Sequence, residues 1–475
     1  MHGTGENPAL GTYFVETWGC QMNVLDSQRL EGVLRARGLV PAPRAEEADV
    51  ALLNTCAVRE KSVQKVVSRL GELRRWRKAS GRPKVVGLCG CVAEQEGERL
   101  LARLPAVGFI LGPGRIDDLG LALDAWEGGQ REQRTGFETV SYDPDAIARP
   151  DSARQFVTVI HGCNQRCTYC VVPRTRGGEV SRPRDEIVAE VRRLVTHGAR
   201  EITLLGQTVN AYRCPRSGAT LAELLAELAT VEKLWNLQII TSHPRYFTPD
   251  LVRVVGELPV LGSYLHLPFQ SGSDRVLRRM ARGYTRNRYL DVIYRLREAR
   301  ADLNLSTDVI VGFPGETEAD FQDTLALVER VRFGQLYGFV YSPRAGTAAA
   351  EMGDVVQPAV TKARISQLFA LQAKIQLALN RELVGTVVEV LVDGVAKRGA
   401  GLWQARGRDN RVVNFQGWEG LTAGQLVRIE ITGASAHALV GRRVDASPGP
   451  VVGGLASARA PMAEGSRGGA PRRRA

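Results

Sequence analysis

Three cysteines fall in the run His161-Gly-Cys163-Asn-Gln-Arg-Cys167-Thr-Tyr-Cys170, directly after the apolar stretch Phe156-Val-Thr-Val-Ile160. A cubic iron–sulfur cluster takes four thiolates, so a compact loop that supplies three leaves one iron open to a ligand that is not protein. An open coordination site serves chemistry rather than architecture. The competing reading is structural zinc, which closes a tetrahedron with a fourth protein ligand at short range. His161 is the nearest candidate, but it precedes Cys163 by only two residues, an awkward span for a closed tetrahedron.

A second set of thiols is dispersed. Cys20, Cys56 and Cys91 each follow a strand-like run: Tyr13-Phe-Val-Glu16, Val50-Ala-Leu-Leu53 and Val85-Val-Gly-Leu88. Together with Val107-Gly-Phe-Ile-Leu111 and the amphipathic stretches between them, these runs predict a small α/β domain with a parallel sheet over residues 11–126. Connections after parallel strands all leave from the carboxyl edge, so the three cysteines are expected on one rim as a second three-thiolate set. Three unrelated buried thiols would be the alternative, because free cysteine is common in cores. Within Leu88-Cys-Gly-Cys91, Cys91 opens the loop and is the expected ligand, whereas Cys89 packs on the strand.

The remaining elements set the frame for these residues. A polar stretch over 127–153 reads as a linker, and from 154 to 381 strand and helix patterns alternate again. The expected strands are Phe156–Ile160, Glu201–Leu205, Leu237–Thr241, Tyr264–Leu267, Leu305–Val311 and Leu336–Tyr341. The first connecting helix has Ser181 as its expected cap and Ile187, Val188, Val191, Leu194 and Val195 as its apolar face. Six βα units predict a partial barrel with its chemistry at the carboxyl ends of the strands. Gln207, Asn210, Ser242, His243, Gln270, Ser271 and Asp308 gather there. From 382 to 445 short β-rich segments broken by Gly predict a small antiparallel barrel. Lys397, Arg398, Arg406, Arg408 and Arg411, with Trp403 and Phe415 nearby, suit an RNA surface, or equally a solvated face around core aromatics. Residues 446–475 are rich in Gly, Ala, Pro, Ser and Arg, and are expected to form a disordered basic tail ending in Arg472, Arg473 and Arg474.

With 475 residues the chain is too long for one core and predicts about three domains. No apolar run approaches the roughly 20 residues that span a bilayer, and the N-terminus has no apolar signal region, so the expected location is cytoplasmic. Eight cysteines then argue for metal or redox chemistry over a disulfide framework. The net charge of +12 suits a polyanionic partner such as nucleic acid.

The spacing Cys163-x3-Cys167-x2-Cys170, with Tyr169 before the last cysteine, resembles the signature of radical S-adenosylmethionine (SAM) enzymes. Taken with Gly19-Cys-Gln-Met-Asn23, Asn54-Thr-Cys-Ala-Val-Arg59, Gly90-Cys-Val-Ala93 and Ser306-Thr-Asp-Val-Ile-Val-Gly-Phe-Pro-Gly-Glu-Thr317, the chain resembles the methylthiotransferase family over residues 11–445. Cys170-Val-Val-Pro173, Leu204-Leu-Gly-Gln-Thr-Val-Asn-Ala-Tyr212 and Thr241-Ser-His-Pro244 look most like its tRNA branch, called MiaB. The resemblance implies an N-terminal methylthiotransferase domain, a radical SAM (βα)6 partial barrel and a C-terminal TRAM β-barrel. It implies two 4Fe-4S clusters and S-adenosyl-L-methionine as cofactors, and methylthiolation at C2 of N6-dimethylallyladenosine beside the anticodon. Cys163, Cys167 and Cys170 would then hold the radical-generating cluster, and Cys20, Cys56 and Cys91 the cluster that carries the inserted sulfur. Tyr169 would lie against the adenine of SAM, with Gln207, Ser242, Gln270 and Asp308 completing the cofactor shell. Arg174 and Arg176 would reach substrate phosphate or the SAM carboxylate. The implied partners are tRNA and an electron donor such as flavodoxin or ferredoxin. Arg174 departs from the family pattern, in which an aromatic follows Val172-Pro173, and Ala405-Arg-Gly-Arg-Asp-Asn410 is an irregular form of the third-domain motif. Competing expectations are methylthiolation of threonylcarbamoyl-adenosine or of a ribosomal protein, and a non-catalytic metal-stabilised RNA-binding protein.

Overall fold

The computed structural model describes residues 10–56, 62–137, 142–399 and 401–444. Its N-terminal unit is built on six parallel strands in the order β2-β1-β3-β4-β5-β6. They are β1 (Thr12–Trp18), β2 (Val40–Pro41), β3 (Val50–Thr55), β4 (Val85–Gly90), β5 (Val107–Leu111) and β6 (Glu132–Arg134). β3 and β4 are buried along their whole length, as continuous Val and Leu runs predict for central parallel strands covered on both faces. The helices that cover them are α1 (Gln21–Ala36), α2 (Ser62–Ser80), α3 (Cys91–Arg103) and α4 (Leu119–Glu127). Leu53, Leu88, Leu70 and Val92 pack on one face of the sheet, and Leu52, Tyr13, Leu34 and Phe109 on the other.

Two of the six strands have no sequence signal, because β2 is two residues long and β6 is the polar run Glu-Gln-Arg. β6 lies within the stretch read as a linker. That stretch is therefore no bare tether: it adds an edge to the sheet and then buries Ile147 against Met22, Leu25 and Leu205, with Tyr142 packed alongside. The first and second units are thus joined by a continuous apolar seam.

In the central unit the apolar run at Phe156–Ile160 is split at Val159 into β7 (Arg154–Thr158) and β8 (Ile160–His161). β8 pairs antiparallel with β9 (Val180–Ser181), so the cysteine-bearing segment is the long connection of a small clasp. This pairing also removes Ser181 from its expected capping role: the next helix, Arg184–Thr196, has Pro183 as its N-cap, while its five predicted apolar residues are buried as expected. β10 (Glu201–Leu205) and β11 (Asn236–Ile239) complete one parallel sheet with β7. β12 (Tyr264–His266), β13 (Asn304–Val311) and β14 (Gln335–Val340) form a second, joined to the first by a parallel bridge between Leu237 and Leu261. Six parallel strands in an open barrel match the expected partial (βα)6 architecture.

The C-terminal unit is a closed five-stranded barrel in the order β15-β16-β17-β19-β18, from β15 (Val387–Val395), β16 (Leu402–Gly407), β17 (Val412–Gln416), β18 (Leu426–Ala434) and β19 (Leu439–Arg443). Closure departs from the purely antiparallel expectation at one seam, where β17 and β19 run parallel. The barrel is fastened to the amino ends of the central strands. Arg154, which opens β7, pairs with Asp393 and donates to the Leu391 carbonyl at 3.1 Å, and Asn304, which opens β13, donates to the Asp409 carbonyl at 2.7 Å. Trp235, just ahead of β11, donates its indole N–H to Glu389.

These contacts correct the expected RNA surface. Arg408 donates to the Pro259 carbonyl at 2.9 Å and lies 5.1 Å from the Trp235 ring centre, Arg411 pairs with Asp409 and donates to Asn380 Oδ1 at 2.9 Å, and Arg406 pairs with Asp393 at 3.4 Å. Trp403 and Phe415 belong to the barrel core. Of the five basic residues, Lys397 and Arg398 stand exposed, and the partly exposed Arg406 pairs within the barrel rather than across this joint. The basic tail, with Arg472, Arg473 and Arg474, lies outside the described residues, and so does the end of the Asn54–Arg59 motif from residue 57 onward. No helix among the described residues is long and apolar enough to cross a membrane.

Candidate functional site

The N-terminal thiols converge because their strands are neighbours in the sheet. Cys20 follows β1 and caps α1, Cys56 follows β3 directly, and Cys91 is the first residue of α3 after β4. Cys91 therefore begins a helix rather than a loop. Two of the three thiols sit at helix N-termini, where backbone N–H groups and the helix dipole favour a thiolate. The turn that presents Cys91 requires Gly90: its φ is +89°, and a Cβ there would lie 2.4 Å from Asn54 Oδ1. Asn54 in turn donates to the Asn23 carbonyl at 2.8 Å and to Ser27 Oγ at 2.9 Å, and Asn23 Oδ1 accepts from the Cys20 N–H at 3.4 Å. This buried amide network holds the Cys20 turn against the end of β3, and it explains the asparagines in both N-terminal motifs.

The Cys56 thiol hydrogen-bonds to Cys20 and Cys91, and these bonds pull both partners down to about 6, with the Arg176 charge as a further cause. The Cys56 thiol itself is pushed up by the same bonds and by burial. Cys89 faces away, in the apolar layer with Leu52 and Phe109, and burial raises its thiol. Among the described residues no three His, Cys, Asp or Glu side chains take up a ready-made metal-binding geometry. The donor chemistry nonetheless fits a soft metal centre: three thiols in which Cys56 bonds to both others, two of them acidic, under the influence of the buried Arg176 charge.

The second set lies in the clasp between β8 and β9. The loop is closed at its base by the Cys163 N–H donating to the Gly177 carbonyl at 3.1 Å and is pinned at its far side by the Thr168 N–H donating to the Met280 carbonyl at 3.1 Å. Sulfur atoms receive backbone donors from Gln165 (3.4 Å to Cys163) and Val172 (3.5 Å to Cys170), and Arg282 Nη1 donates to Cys167 Sγ at 3.3 Å. Burial raises the Cys163 thiol and pushes Cys170 up to about 12, so these thiols stay protonated until a metal takes the proton's place. Gly162 enters the loop with φ +70°, and a Cβ would lie 1.9 Å from the Gly178 carbonyl oxygen. Gly162→Ala is expected to cost about 1–3 kcal/mol in backbone strain alone. Iron analysis of the anaerobically reconstituted variant should show this loop's share lost and the N-terminal share kept.

Tyr169 packs with Val276, Met280 and Phe313, and its hydroxyl accepts from Arg282 at 3.4 Å. His161, the sequence candidate for a fourth ligand, instead lines a cavity of about 40 Å³ with Asp26, Arg29, Tyr142 and Arg182, and burial drives its imidazole down to about 3. Arg176 also departs from expectation. It is buried and paired with Asp26 of α1 at 2.6 Å, so it does not reach out to a phosphate, whereas Arg174 is exposed and lies against Gly346.

Of the residues expected to form the cofactor shell, three follow strands at their carboxyl ends and the fourth lies within one. Gln207 follows β10, Ser242 follows β11, Gln270 follows β12 and Asp308 lies on β13. Gln207 Oε1 and Ser242 Oγ are buried with no hydrogen-bond partner among the described residues, as are His243 Nε2 and Tyr341 Oη. Buried polar atoms left unpaired are costly, so a cluster of them marks a place where a polar ligand belongs. Thr241 and Gln270 hold left-handed backbone with φ of 63° and 67°, which is strain gathered at the same mouth. Asp308 meets His266 Nε2 at 3.4 Å. Sequence reasoning missed Arg282, which sits in a loop 112 residues beyond Cys170 and carries no spacing signal.

Family models match the chain in three blocks: the uncharacterized protein family UPF0004 over residues 12–112, the radical SAM superfamily over 157–328 and the TRAM domain over 381–444. A tRNA-2-methylthio-N(6)-dimethylallyladenosine synthase of Sorangium cellulosum is 44% identical over 467 residues, covering 92% of this chain and 94% of its own. The synthases of that name from Thiobacillus denitrificans and Geobacter metallireducens are 44% and 42% identical, each covering at least 90% of this chain and 97% of its own. The chain belongs to this synthase family. Solved structures agree on the fold: the radical SAM methyltransferase TsrM of Kitasatospora setae superposes with a TM-score of 0.50 at 14% identity, covering 82% of this chain and 79% of that one. The cobalamin-dependent radical enzyme OxsB does so with 0.51 at 11%, covering 76% and 56%. The synthase relatives thus share the three-unit order from end to end, with the two cysteine sets falling one each in the first two matched blocks.

Proposed function

We propose that the chain is a radical SAM methylthiotransferase that places a methylthio group on C2 of N6-dimethylallyladenosine beside the tRNA anticodon. The observation that carries this reading is family membership over nine-tenths of the chain, joined to two separate three-thiol sets that each leave a metal corner for a non-protein ligand. Cys163, Cys167 and Cys170 would hold one 4Fe-4S cluster and Cys20, Cys56 and Cys91 the other, with Tyr169, Gln207, Ser242, Gln270 and Asp308 around SAM. When bound, these groups supply one-electron cleavage of SAM at the barrel mouth and sulfur for insertion at the sheet rim.

The chain's own part is placement. Backbone donors from Gln165 and Val172 would stabilise the loop thiolates, the orphaned polar atoms of Gln207 and Ser242 would fix a polar cofactor, and the apolar seam through Met22, Leu25, Ile147 and Leu205 packs the two thiol-bearing units together. Electrons would come from a small carrier such as flavodoxin or ferredoxin. Mass spectrometry of tRNA nucleosides from a deletion strain should show the 2-methylthio nucleoside absent and its unmodified precursor accumulated; persistence of the methylthio form in a strain without a paralogue would refute the reading.

The C-terminal barrel is assigned to RNA through its exposed bases, not those in the joint. K397A and R398A together should flatten the salt dependence of tRNA affinity by about 0.9 log units for each phosphate that no longer has a cationic partner. R408A, which loosens the joint, should lower the melting temperature and leave that slope unchanged.

A further inference from the structure

Where the first and second units pack together, four arginines meet three carboxylates among the described residues. Arg29 of α1 pairs with Asp117 at 2.9 Å and Arg176 with Asp26 of α1 at 2.6 Å, whereas Arg149 and Arg182 share the single carboxylate of Glu190. The Glu190 side chain is fully buried, and it also accepts from the Tyr142 hydroxyl at 3.3 Å. Tyr142 ties the pairs into one cluster, its ring centre lying 3.7 Å from Arg182 Cζ and 5.7 Å from Arg29 Cζ. A buried charge without a counter-charge is costly, so a cluster with one positive charge in excess calls for one anion.

Unused donors mark a place for it. Arg182 Nη1 donates to the Thr158 carbonyl at 2.8 Å and to Glu190 at 2.7 Å, but Nε and Nη2 are buried with no hydrogen-bond partner among the described residues. His161 Nε2 is buried and unpartnered in the same way, and it donates in the tautomer that carries hydrogen on that atom. Arg182 and His161 are each 7% exposed, and both line the cavity of about 40 Å³ that Asp26, Arg29 and Tyr142 help to enclose. Asp26 is the only acid in that lining, and its Oδ2 is already held by Arg176. A water-sized body needs about 10–15 Å³, so the space takes a monatomic ion with a water beside it and is too small for a phosphate ester. Water alone would satisfy the idle N–H groups and leave the excess charge; a small anion answers both.

We propose that this cavity is a binding site for a monatomic anion, chloride in ordinary salt, which neutralises the Arg29, Arg149, Arg176 and Arg182 cluster. Its lining comes from α1, from Tyr142 in the stretch after β6, and from the β7, β8 and β9 region, so the occupant joins the N-terminal unit to the barrel.

The test uses the full-length, anaerobically reconstituted chain. Its melting is followed in sodium chloride, sodium bromide and sodium gluconate at one ionic strength, and its crystals are soaked in bromide for anomalous diffraction. Both halides should raise the melting temperature over gluconate by at least about 3 °C at saturation, and the anomalous map should show bromide between Arg182 and His161. Net charge separates an anion from a water. E190Q leaves a second positive charge uncompensated and should lower the halide concentration for half-maximal stabilisation by about tenfold. R149M, whose side chain does not line the cavity, balances the cluster and should raise that concentration by about tenfold. Equal melting in the three salts overturns the proposal, and so does half-maximal stabilisation that neither variant shifts. Bromide in the map without a shift in melting is an adventitious ion only and overturns it too, as does bromide found only beside the cysteines. If the variants do not fold, the melting curves and the map of the parent decide.

Discussion

Cys91→Ala should cut the iron of the reconstituted protein from about eight atoms per chain to about four, because two four-iron sites become one. Formation of the methylthio nucleoside should fall below detection while reductive cleavage of SAM persists within about threefold, since the Cys163 loop belongs to another unit and shares no ligand with Cys91. Cys89→Ala is the matched control. Its thiol is two residues away but on the opposite face of the sheet, among Leu52 and Phe109, so it should leave iron and product unchanged and cost about 1 kcal/mol for the small cavity. Unchanged iron in C91A, or iron lost in C89A, would remove the N-terminal triad as drawn.

Arg282→Met should lower the rate of 5′-deoxyadenosine formation by about a hundredfold and leave the N-terminal iron intact. Arg282 is buried and reaches three groups at once: Cys167 Sγ at 3.3 Å, Tyr169 Oη at 3.4 Å and the Pro268 carbonyl at 3.4 Å. Methionine fills similar space but removes the charge-assisted bonds, worth about 1.5–3 kcal/mol each, and leaves those acceptors unpaired. R282K should recover little, because one ammonium nitrogen cannot at once replace Nη1 at Cys167 and Tyr169, Nη2 at the Pro268 carbonyl and Nε at Tyr284. A variant with normal SAM cleavage would reduce Arg282 to packing.

Much of this site was legible because its signals are local. The spacing of Cys163, Cys167 and Cys170 needs no tertiary information, and the N-terminal triad follows from one rule of parallel sheets once three strands are read correctly. What escaped was tertiary. Arg282 and the Arg176–Asp26 pair join segments more than a hundred residues apart, and nothing in their sequence neighbourhoods distinguishes a buried arginine from a solvated one. The same blindness made Arg408 and Arg411 look like an RNA face when they are fasteners to Pro259 and Asn380. β6 went unread because an edge strand pairs on one side only and needs no apolar alternation.

The fastening of the small barrel to the amino ends of the central strands sets a length. The proposed chemistry lies at the opposite ends of those strands, and the longest of them, Asn304–Val311, spans about 26 Å at 3.3 Å per residue. A nucleotide held at the mouth and a phosphate held by the barrel are thus kept apart by at least the height of the scaffold between them. On the proposed function the molecule would work as a calliper: a free nucleoside or a bare loop would touch one jaw, and an adenosine borne on an extended stem would touch both.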